Sequence, residues 1–285
     1  MENRFREVET KSLPAVRREL LAAFHRIFPN TDPTCVEEAF DWVDEAFRGE
    51  YGEYQPIDAK YHDFEHTLQG ALCFSRLLEG YHAAGEMPRL NSRMFELGVL
   101  AILLHDTGYL KKADDKQGTG AKYTLVHVSR SSDFAAALLR DKDFEPAEIR
   151  SVQNMIRCTG VNADLGTIPF QSELEQKVGF ALGTADLLGQ MAAADYVDKL
   201  DILYQEFEES NRYNGKVAGP GVFTSAEDLR KKTPEFWVRY VLPKIEADFA
   251  GMHRFLNTSD GSNPYLDRIR ANIERLQDQL NGVPA

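Results

Sequence analysis

The chain has 285 residues, of which 43% are hydrophobic and 11% aromatic, and its formal net charge is −12 at pH 7. This length and apolar content suffice for one large domain with a buried core. No basic block suits a phosphate backbone, so a nucleic-acid polymer is not expected as a partner. The longest apolar run has about seven residues, whereas a membrane span needs roughly 20. We therefore expect no membrane association.

The cysteines and the N-terminal residues indicate the cellular compartment. The three cysteines, Cys35, Cys73 and Cys158, are far apart and odd in number, as is typical of a reduced protein. The first residues form no apolar stretch that would suggest a secretory signal. A cytoplasmic protein is expected, and a homodimer is left open.

Hydrophobic periodicity predicts helices along nearly the whole chain. Alternation of period two with β-branched residues is almost absent. The predicted helices cover residues 13–28, 33–47, 61–82, 92–104, 125–139, 146–157, 173–207, 234–256 and 264–280, with a possible break of the seventh near Gly183. The sequence thus predicts an all-α, multi-helix bundle. We expect residues 1–60 to form a helical extension packed on a main domain of residues 61–285.

Two polar segments predict loops. Residues 111–122 contain several lysines with Gly118 and Gly120, which predicts an exposed and mobile loop. Its lysines could steer an anionic substrate or simply be solvated. Residues 211–224 are rich in glycine and predict a second loop, which is followed by Ser225, a candidate helix cap.

The stretch with the clearest chemical content is residues 98–108. Seven apolar or small residues lead directly into His105 and Asp106. A buried segment should not end in two ionisable neighbours unless these are paired or bind a metal. Imidazole nitrogen and carboxylate oxygen both bind divalent ions. The alternative is that Asp106 caps the next helix and that His105 is incidental.

Three further residues extend this pattern. His62 and His66 are four residues apart, and on a helix they would share one face. Asp186 is the one acidic residue in an otherwise apolar helical stretch, where it needs a partner. A metal shared by His66, His105, Asp106 and Asp186 would supply that partner.

The order of these motifs resembles the HD superfamily of metal-dependent phosphohydrolases. The segment Tyr61-His62-Asp63-Phe64-Glu65-His66 is similar to the Tyr-His-Asn-x-x-His signature of the class I cyclic-nucleotide phosphodiesterases. Thr184-Ala185-Asp186-Leu187 resembles the segment that carries their last metal-binding Asp. Residues 236–243 resemble the late helix whose Phe stacks on the nucleotide base. The resemblance spans residues 61–280.

The resemblance implies a role for each matching residue. His66, His105, Asp106 and Asp186 would bind the first metal, and Asp106 would also bridge to a second one. His62 would donate a proton to the leaving oxygen, and the main domain would be the catalytic domain. Phe236 would face the substrate.

Three positions depart from the phosphodiesterase pattern. Tyr109 stands where those enzymes have another His, three residues after the Asp, and Asp63 replaces their Asn. Thr233 stands where they have the Gln that reads a purine edge, and Pro234 after it suggests that Thr233 is a helix N-cap. A Thr offers one hydroxyl in place of paired amide groups. The resemblance therefore implies poor discrimination among bases or a different phosphoester substrate.

Phosphoester hydrolysis fits these residue types. A divalent metal lowers the pKa of its water and polarises phosphoryl oxygens, and a nearby imidazole can protonate the leaving alkoxide. Mixed nitrogen and carboxylate ligands suit one or two ions of Zn, Mn, Fe, Co, Ni or Mg without selecting among them. His127 could reach a second metal or a phosphate group, or be solvated. We expect a hydrolase of a small, anionic, nucleotide-like phosphoester.

Two other functions are open at this level. Residues 62–66 match the His-x-x-Glu-His motif of some metalloproteases, a reading that makes Glu65 essential. That motif leaves His105, Asp106 and Asp186 unexplained. A non-catalytic sensor that binds a nucleotide is the other alternative, and the complete set of metal-binding residue types argues against it.

Overall fold

Ten α-helices and no β-strand occur in residues 2–160, 163–215 and 223–282, the part of the chain that the computed structural model describes. The predicted all-α bundle is thereby confirmed. The helices are α1 (Leu13–Ile27), α2 (Thr34–Phe47), α3 (Phe64–Ala83), α4 (Ser92–Leu104), α5 (His127–Asp141), α6 (Pro146–Ile156), α7 (Glu173–Met191), α8 (Tyr196–Asn214), α9 (Ala226–Phe236) and α10 (Pro264–Leu280). Short 3₁₀ helices connect them at Glu2–Phe5, Thr107–Tyr109, Gly120–Tyr123, Arg157–Thr159, Leu165–Thr167 and Met252–Leu256.

Three helices, α3, α4 and α7, pack against one another in the centre of the bundle. In α4 every residue from Phe95 to Leu104 is buried, as expected for a helix that is apolar on nearly all sides. The one charged residue among them, Glu96, pairs with Arg93. α3 and α7 cross closely at a glycine, because a Cβ atom on Gly189 would lie 2.9 Å from the backbone oxygen of Gln69. The candidate metal-binding residues lie on these three helices or directly after them.

The two N-terminal helices add to the same core. Val16 and Phe24 of α1 and Phe40 of α2 are fully buried in one continuous apolar cluster with α3 and α4. α1 packs on α3, and α2 packs on α4. Their amphipathic periodicity therefore reflects contact with the central helices.

Helix α3 begins later than the sequence predicted. The Asp63 carboxylate accepts a hydrogen bond from the backbone N–H of His66 at 2.9 Å, which is an N-cap that starts the helix at Phe64. His62 therefore precedes α3, and the prediction that His62 and His66 share a helical face was wrong. Their rings still lie 5.4 Å apart between centroids.

The long seventh predicted helix is two helices, and the break is not at Gly183. The chain turns at residues 192–195, between α7 and α8. Gly183 lies inside α7, where a Cβ atom would come within 2.5 Å of the Phe249 ring. This glycine permits close packing and does not interrupt the helix.

The late helical region also differs from its prediction. α9 begins at Ala226 because Ser225 Oγ accepts from the backbone N–H of Asp228 at 3.0 Å, so the predicted cap is confirmed. Pro234 lies within α9 rather than at a helix start. Because proline lacks an N–H, the regular hydrogen-bond ladder is interrupted there. Wider π-helical turns follow at Trp237–Val241 and Lys244–Asp248.

The lysine-containing segment 111–122 is exposed at residues 112–114 and 116–118, as predicted for a loop, but both of its ends are buried and held by ion pairs. Lys111 Nζ lies 2.8 Å from Asp58 Oδ2, and Lys122 Nζ lies 2.5 Å from Asp115 Oδ1, with both lysines buried. Glu209 of α8 also accepts a 2.8 Å hydrogen bond from Thr119 Oγ1. These ion pairs leave Lys111 and Lys122 unsuited to steering a substrate.

The second predicted loop starts later than expected, since α8 continues to Asn214. Residues 216–222 of that loop lie outside the described residues. Among the described helices, none combines the length and apolar character that a membrane crossing requires.

Candidate metal centre

Four predicted residues meet in the interior of the bundle. His66 lies in the first turn of α3, His105 ends α4, Asp106 follows it, and Asp186 lies within α7. Their exposed fractions are 4%, 1%, 1% and 8%, respectively. Three chain segments that are far apart in sequence therefore place two imidazoles and two carboxylates in one buried cluster.

The distances in this cluster fit a shared divalent ion. His66 Nε2 lies 3.2 Å from Asp106 Oδ2 and 3.4 Å from Asp186 Oδ1. His105 Nε2 lies 3.3 Å and 3.4 Å from the same two oxygens. Two ligand atoms about 2.1 Å from one ion are separated by roughly 3.0 Å across a right angle and about 3.4 Å across a tetrahedral angle. All four separations fall in that interval.

Two atoms of the cluster have no hydrogen-bond partner. His105 Nε2 and Asp106 Oδ2 are both buried and unpaired, despite their short separation. In the neutral imidazole that can bind a metal, the 2.7 Å contact between His105 Nδ1 and the Ile102 carbonyl places the ring proton on Nδ1, so Nε2 presents a lone pair. Two facing lone pairs without a proton are costly when buried. A cation between them would remove that cost, so these residues fit a metal.

The charges of the cluster favour ligand-competent carboxylates. Burial would raise the pKa of Asp106, but the charges of His105 and His66 outweigh it and hold that pKa well below its usual range. The pKa of Asp186 is lowered for the same reasons. Burial lowers the pKa of His66, but Asp106 and Asp186 raise it overall to about 10. The carboxylates thus stay ionised, as metal binding requires, whereas a bound metal would have to displace the proton of His66.

The turn that carries Asp106 is held by α5. Arg130 Nε donates to the Gly108 carbonyl at 2.7 Å, and Gly108 N–H donates to Ser131 Oγ at 2.8 Å. Gly108 has no room for a side chain, because a Cβ atom there would overlap the backbone oxygen of His127. Close packing of α5 therefore fixes the backbone beside Asp106.

His62 lies next to the cluster and has a buried partner that the sequence did not indicate. Its Nδ1 is 2.6 Å from Glu206 Oε2. Glu206 Oε1 accepts from the backbone N–H groups of Lys60 and Tyr61 at 2.7 Å and 2.8 Å. Burial would raise the pKa of Glu206, but His62 and these N–H groups lower it overall. Glu206 therefore stays ionised and fixes the orientation of His62.

His127, the first residue of α5, lies on another side of Asp106. Its Nδ1 donates to the Thr124 carbonyl at 2.6 Å, which leaves Nε2 unprotonated at 3.9 Å from Asp106 Oδ1. Burial lowers the pKa of His127, so its imidazole is neutral at neutral pH. Whether His127 contacts a second metal, a phosphate group or solvent stays a prediction.

The two remaining predicted substrate residues have different surroundings. Phe236 is 37% exposed, and its ring stacks on Tyr240 with centroids 4.9 Å apart. Thr233 is only 3% exposed, and its hydroxyl donates to the Leu229 carbonyl at 2.9 Å. Thr233 is a mid-helix residue and not an N-cap, and its hydroxyl is already engaged.

Glu65 does not have the surroundings of a free general base. Its Oε2 lies 2.8 Å from Lys199 Nζ, and its Oε1 accepts from Thr10 Oγ1 at 3.3 Å. The group whose ligand atoms lie within 4.8 Å of one another consists of His66, His105 and Asp106, in the part of the chain that is described. His62 is not in that group, unlike the first His of a His-x-x-Glu-His site. Asp186 is not in it either, and its place in the cluster is carried by its 3.4 Å distances to the two imidazole nitrogens.

Comparison with known proteins places the chain in a family. No curated protein matches it. A family model described as Npun_R2479-like matches residues 15–279, which include all ten helices except the first two residues of α1 and the last residue of α10. The chain belongs to the Npun_R2479-like family.

Proposed function

We propose that this protein is a metal-dependent phosphohydrolase that acts on a small, anionic, nucleotide-like phosphoester in the cytoplasm. The observation that carries the proposal is the approach of two imidazole nitrogens to two carboxylate oxygens at 3.2–3.4 Å, with one nitrogen and one oxygen lacking a hydrogen-bond partner. The resemblance of the same residues to the HD superfamily and its phosphodiesterases supports the same function.

Each chain group has a role that its contacts support. His66, His105, Asp106 and Asp186 would hold a divalent ion, which when bound polarises phosphoryl oxygens and lowers the pKa of water. His62 would protonate the leaving oxygen through Nε2, because Nδ1 is bonded to Glu206. The ionised Glu206 stabilises the imidazolium before proton transfer and orients its ring.

The contacts of Glu65 argue against a metalloprotease. A general base needs an available lone pair near the scissile bond, whereas both oxygens of Glu65 have partners in Lys199 and Thr10. A sensor can be distinguished from a hydrolase by experiment, since it would bind metal and nucleotide without turnover.

The test combines metal analysis with hydrolysis assays on three proteins: wild type, Asp106→Ala and Glu65→Gln. Elemental analysis measures the bound metal. Turnover is measured with an aryl phosphodiester, an aryl phosphomonoester, and cyclic and linear nucleotides, with each divalent ion in turn. Glu65→Gln is the matched control, because Glu65 is an acidic residue near the start of α3 whose partners lie outside the cluster.

We expect Asp106→Ala to lose metal and turnover together and Glu65→Gln to keep both. Full metal occupancy with normal turnover in Asp106→Ala would overturn the site. Hydrolysis of peptides that depends on Glu65 would favour the metalloprotease. Tight nucleotide binding without turnover by the metal-loaded wild type would favour the sensor.

A further inference from the structure

Tyr109 is a buried aromatic residue in contact with both imidazoles that flank the cluster. It is fully buried, and its ring stacks on His62 with centroids 4.5 Å apart and an interplanar angle of 13°. It also stacks on His127 at 4.8 Å and 21°. Tyr109 follows Asp106 by three residues, so the turn that carries the metal-binding carboxylate also carries this ring.

The three ring separations show how the imidazoles are arranged. The centroids of His62 and His127 are 6.3 Å apart. If the two imidazoles lay on opposite faces of the Tyr109 ring, two stacking gaps of about 3.5 Å would separate them by roughly 7 Å or more. The shorter separation places both on the same face, side by side and offset in opposite directions.

The far edges of both imidazoles are also fixed. His62 Nδ1 is bonded to Glu206, and His127 Nδ1 donates to Thr124. Each ring is thus held at one edge by a hydrogen bond and on one face by Tyr109. The two Nε2 atoms are the polar ring atoms left for a ligand.

We propose that Tyr109 is a positioning residue, an aromatic platform that holds His62 and His127 side by side so that both imidazoles engage the same phosphoryl group. This inference rests on the proposed function. A hydrogen bond at Nδ1 leaves rotation about that bond free, and a planar ring against the imidazole face removes that freedom.

The ring of Tyr109 carries this role, because it is the ring and not the hydroxyl that contacts the two imidazoles. At the position where the phosphodiesterases that the chain resembles have another His, this chain has Tyr109, whose ring is larger and more apolar. An imidazole at this position would be smaller and would need hydrogen-bond partners of its own when buried.

The experiment compares Tyr109→Phe, which keeps the platform, with Tyr109→Leu, which removes it but keeps an apolar side chain. Full-length protein labelled at histidine is loaded with Zn²⁺, and the imidazole signals are recorded by NMR. His62→Gln and His127→Gln variants assign the two rings. Kinetics and zinc content are measured on the same samples, with Tyr109→Met as a second variant without a ring should Tyr109→Leu not fold.

In wild type and Tyr109→Phe, the ring protons of His62 and His127 should show the upfield shifts of a stacked aromatic neighbour. In Tyr109→Leu these shifts should disappear while zinc content is unchanged. The kcat should fall by about 10- to 100-fold with little change in KM, because orientation is lost while substrate binding is kept. The kcat of Tyr109→Phe should stay within about threefold of the wild-type kcat, since phenylalanine keeps the ring that positions the two imidazoles.

Unchanged imidazole signals in Tyr109→Leu and Tyr109→Met would overturn the platform. Altered signals with an unchanged kcat would overturn the positioning role. A zinc-loaded wild type that hydrolyses no phosphoester would overturn the proposed function and the positioning role with it, whereas the imidazole signals would still decide whether Tyr109 orders the two rings.

Discussion

The position of one proton determines what His105 can do. Its Nδ1 is committed to the Ile102 carbonyl one turn earlier in α4, so Nε2 is left as a lone pair that faces Asp106 and Asp186. The hydrogen bond of a helix end thus selects the tautomer that a metal site needs. His127 is prepared in the same way by Thr124.

His62 differs from these residues because its partner is a carboxylate rather than a carbonyl. We expect His62→Ala to keep the metal and to lose about 10²- to 10⁴-fold in kcat, the usual cost of removing a general acid. Elemental analysis and steady-state kinetics on the same sample check this. Loss of the metal would instead identify His62 as a ligand.

Glu206 should act only through His62. In Glu206→Gln the side chain can still accept a backbone N–H, but its amide would face His62 Nδ1 without a negative charge. We expect kcat to fall by no more than in His62→Ala, with metal content unchanged. The double variant should be no slower than His62→Ala alone, because residues that act as a unit are not additive. Additive losses would show that Glu206 has a separate role.

At the scale of elements, the crossing of α3 and α7 sets the distance between His66 and Asp186. Gly189 lies where α7 touches the α3 backbone, with no space for a Cβ atom. The neighbouring Gly70 on α3 is less restricted, since a Cβ atom there would meet only the end of the Ile102 side chain at 3.3 Å.

We therefore expect Gly189→Ala to lower the free energy of unfolding by about 1 to 3 kcal/mol, the cost of overpacking. It should also weaken metal binding, because the helices move apart. Gly70→Ala is the matched control and should be neutral or slightly stabilising, since alanine is favoured over glycine within a helix by about 1 kcal/mol. Denaturant unfolding measures both. Equal stabilities of the two variants would contradict the close crossing.

Helix α8 fixes the loops beside the cluster. Its Glu206 binds the backbone before α3, and its Glu209 binds Thr119 in the segment after the Asp106 turn. The two acidic residues are three positions apart and so lie on one side of the helix. One helix therefore orders the segment that carries His62 and the segment that follows Tyr109.

At the scale of the whole molecule, a bound metal would connect α3, α4 and α7, the three helices at the centre of the core. Because the ligand set exists only in the folded chain, metal should stabilise the fold by mass action. We expect a chelator to lower the melting temperature, with a loss of about 2.7 kcal/mol for a metal present at 100 times its Kd. Calorimetry with and without chelator measures this.

Asp106→Ala supplies the control for that measurement, since its melting temperature should not respond to the chelator. A chelator effect of equal size in both proteins would place the stabilising metal elsewhere. The N-terminal helices α1 and α2 share the apolar core with α3 and α4, so they should unfold in the same transition as the rest.

The sequence by itself determined the features that depend on neighbours along the chain. Apolar periodicity predicted most helices, and Ser225 predicted the start of α9 through a bond to Asp228 three residues later. An apolar run ending in His105 and Asp106 indicated a buried polar site, because burial without a partner is costly. Asp186 was predicted by the same argument, and His66 by its spacing from His62 together with the order of motifs.

Only the tertiary structure decided which distant side chains meet. Glu206 looks like any acidic residue of an amphipathic helix until α8 brings it to His62, 144 positions away. In the sequence, Tyr109 was only a departure from the phosphodiesterase motif. The fold places the imidazoles of His62 and His127 against its ring. Periodicity reports which face of a helix is buried, whereas packing of whole helices sets which polar atoms on those faces become partners.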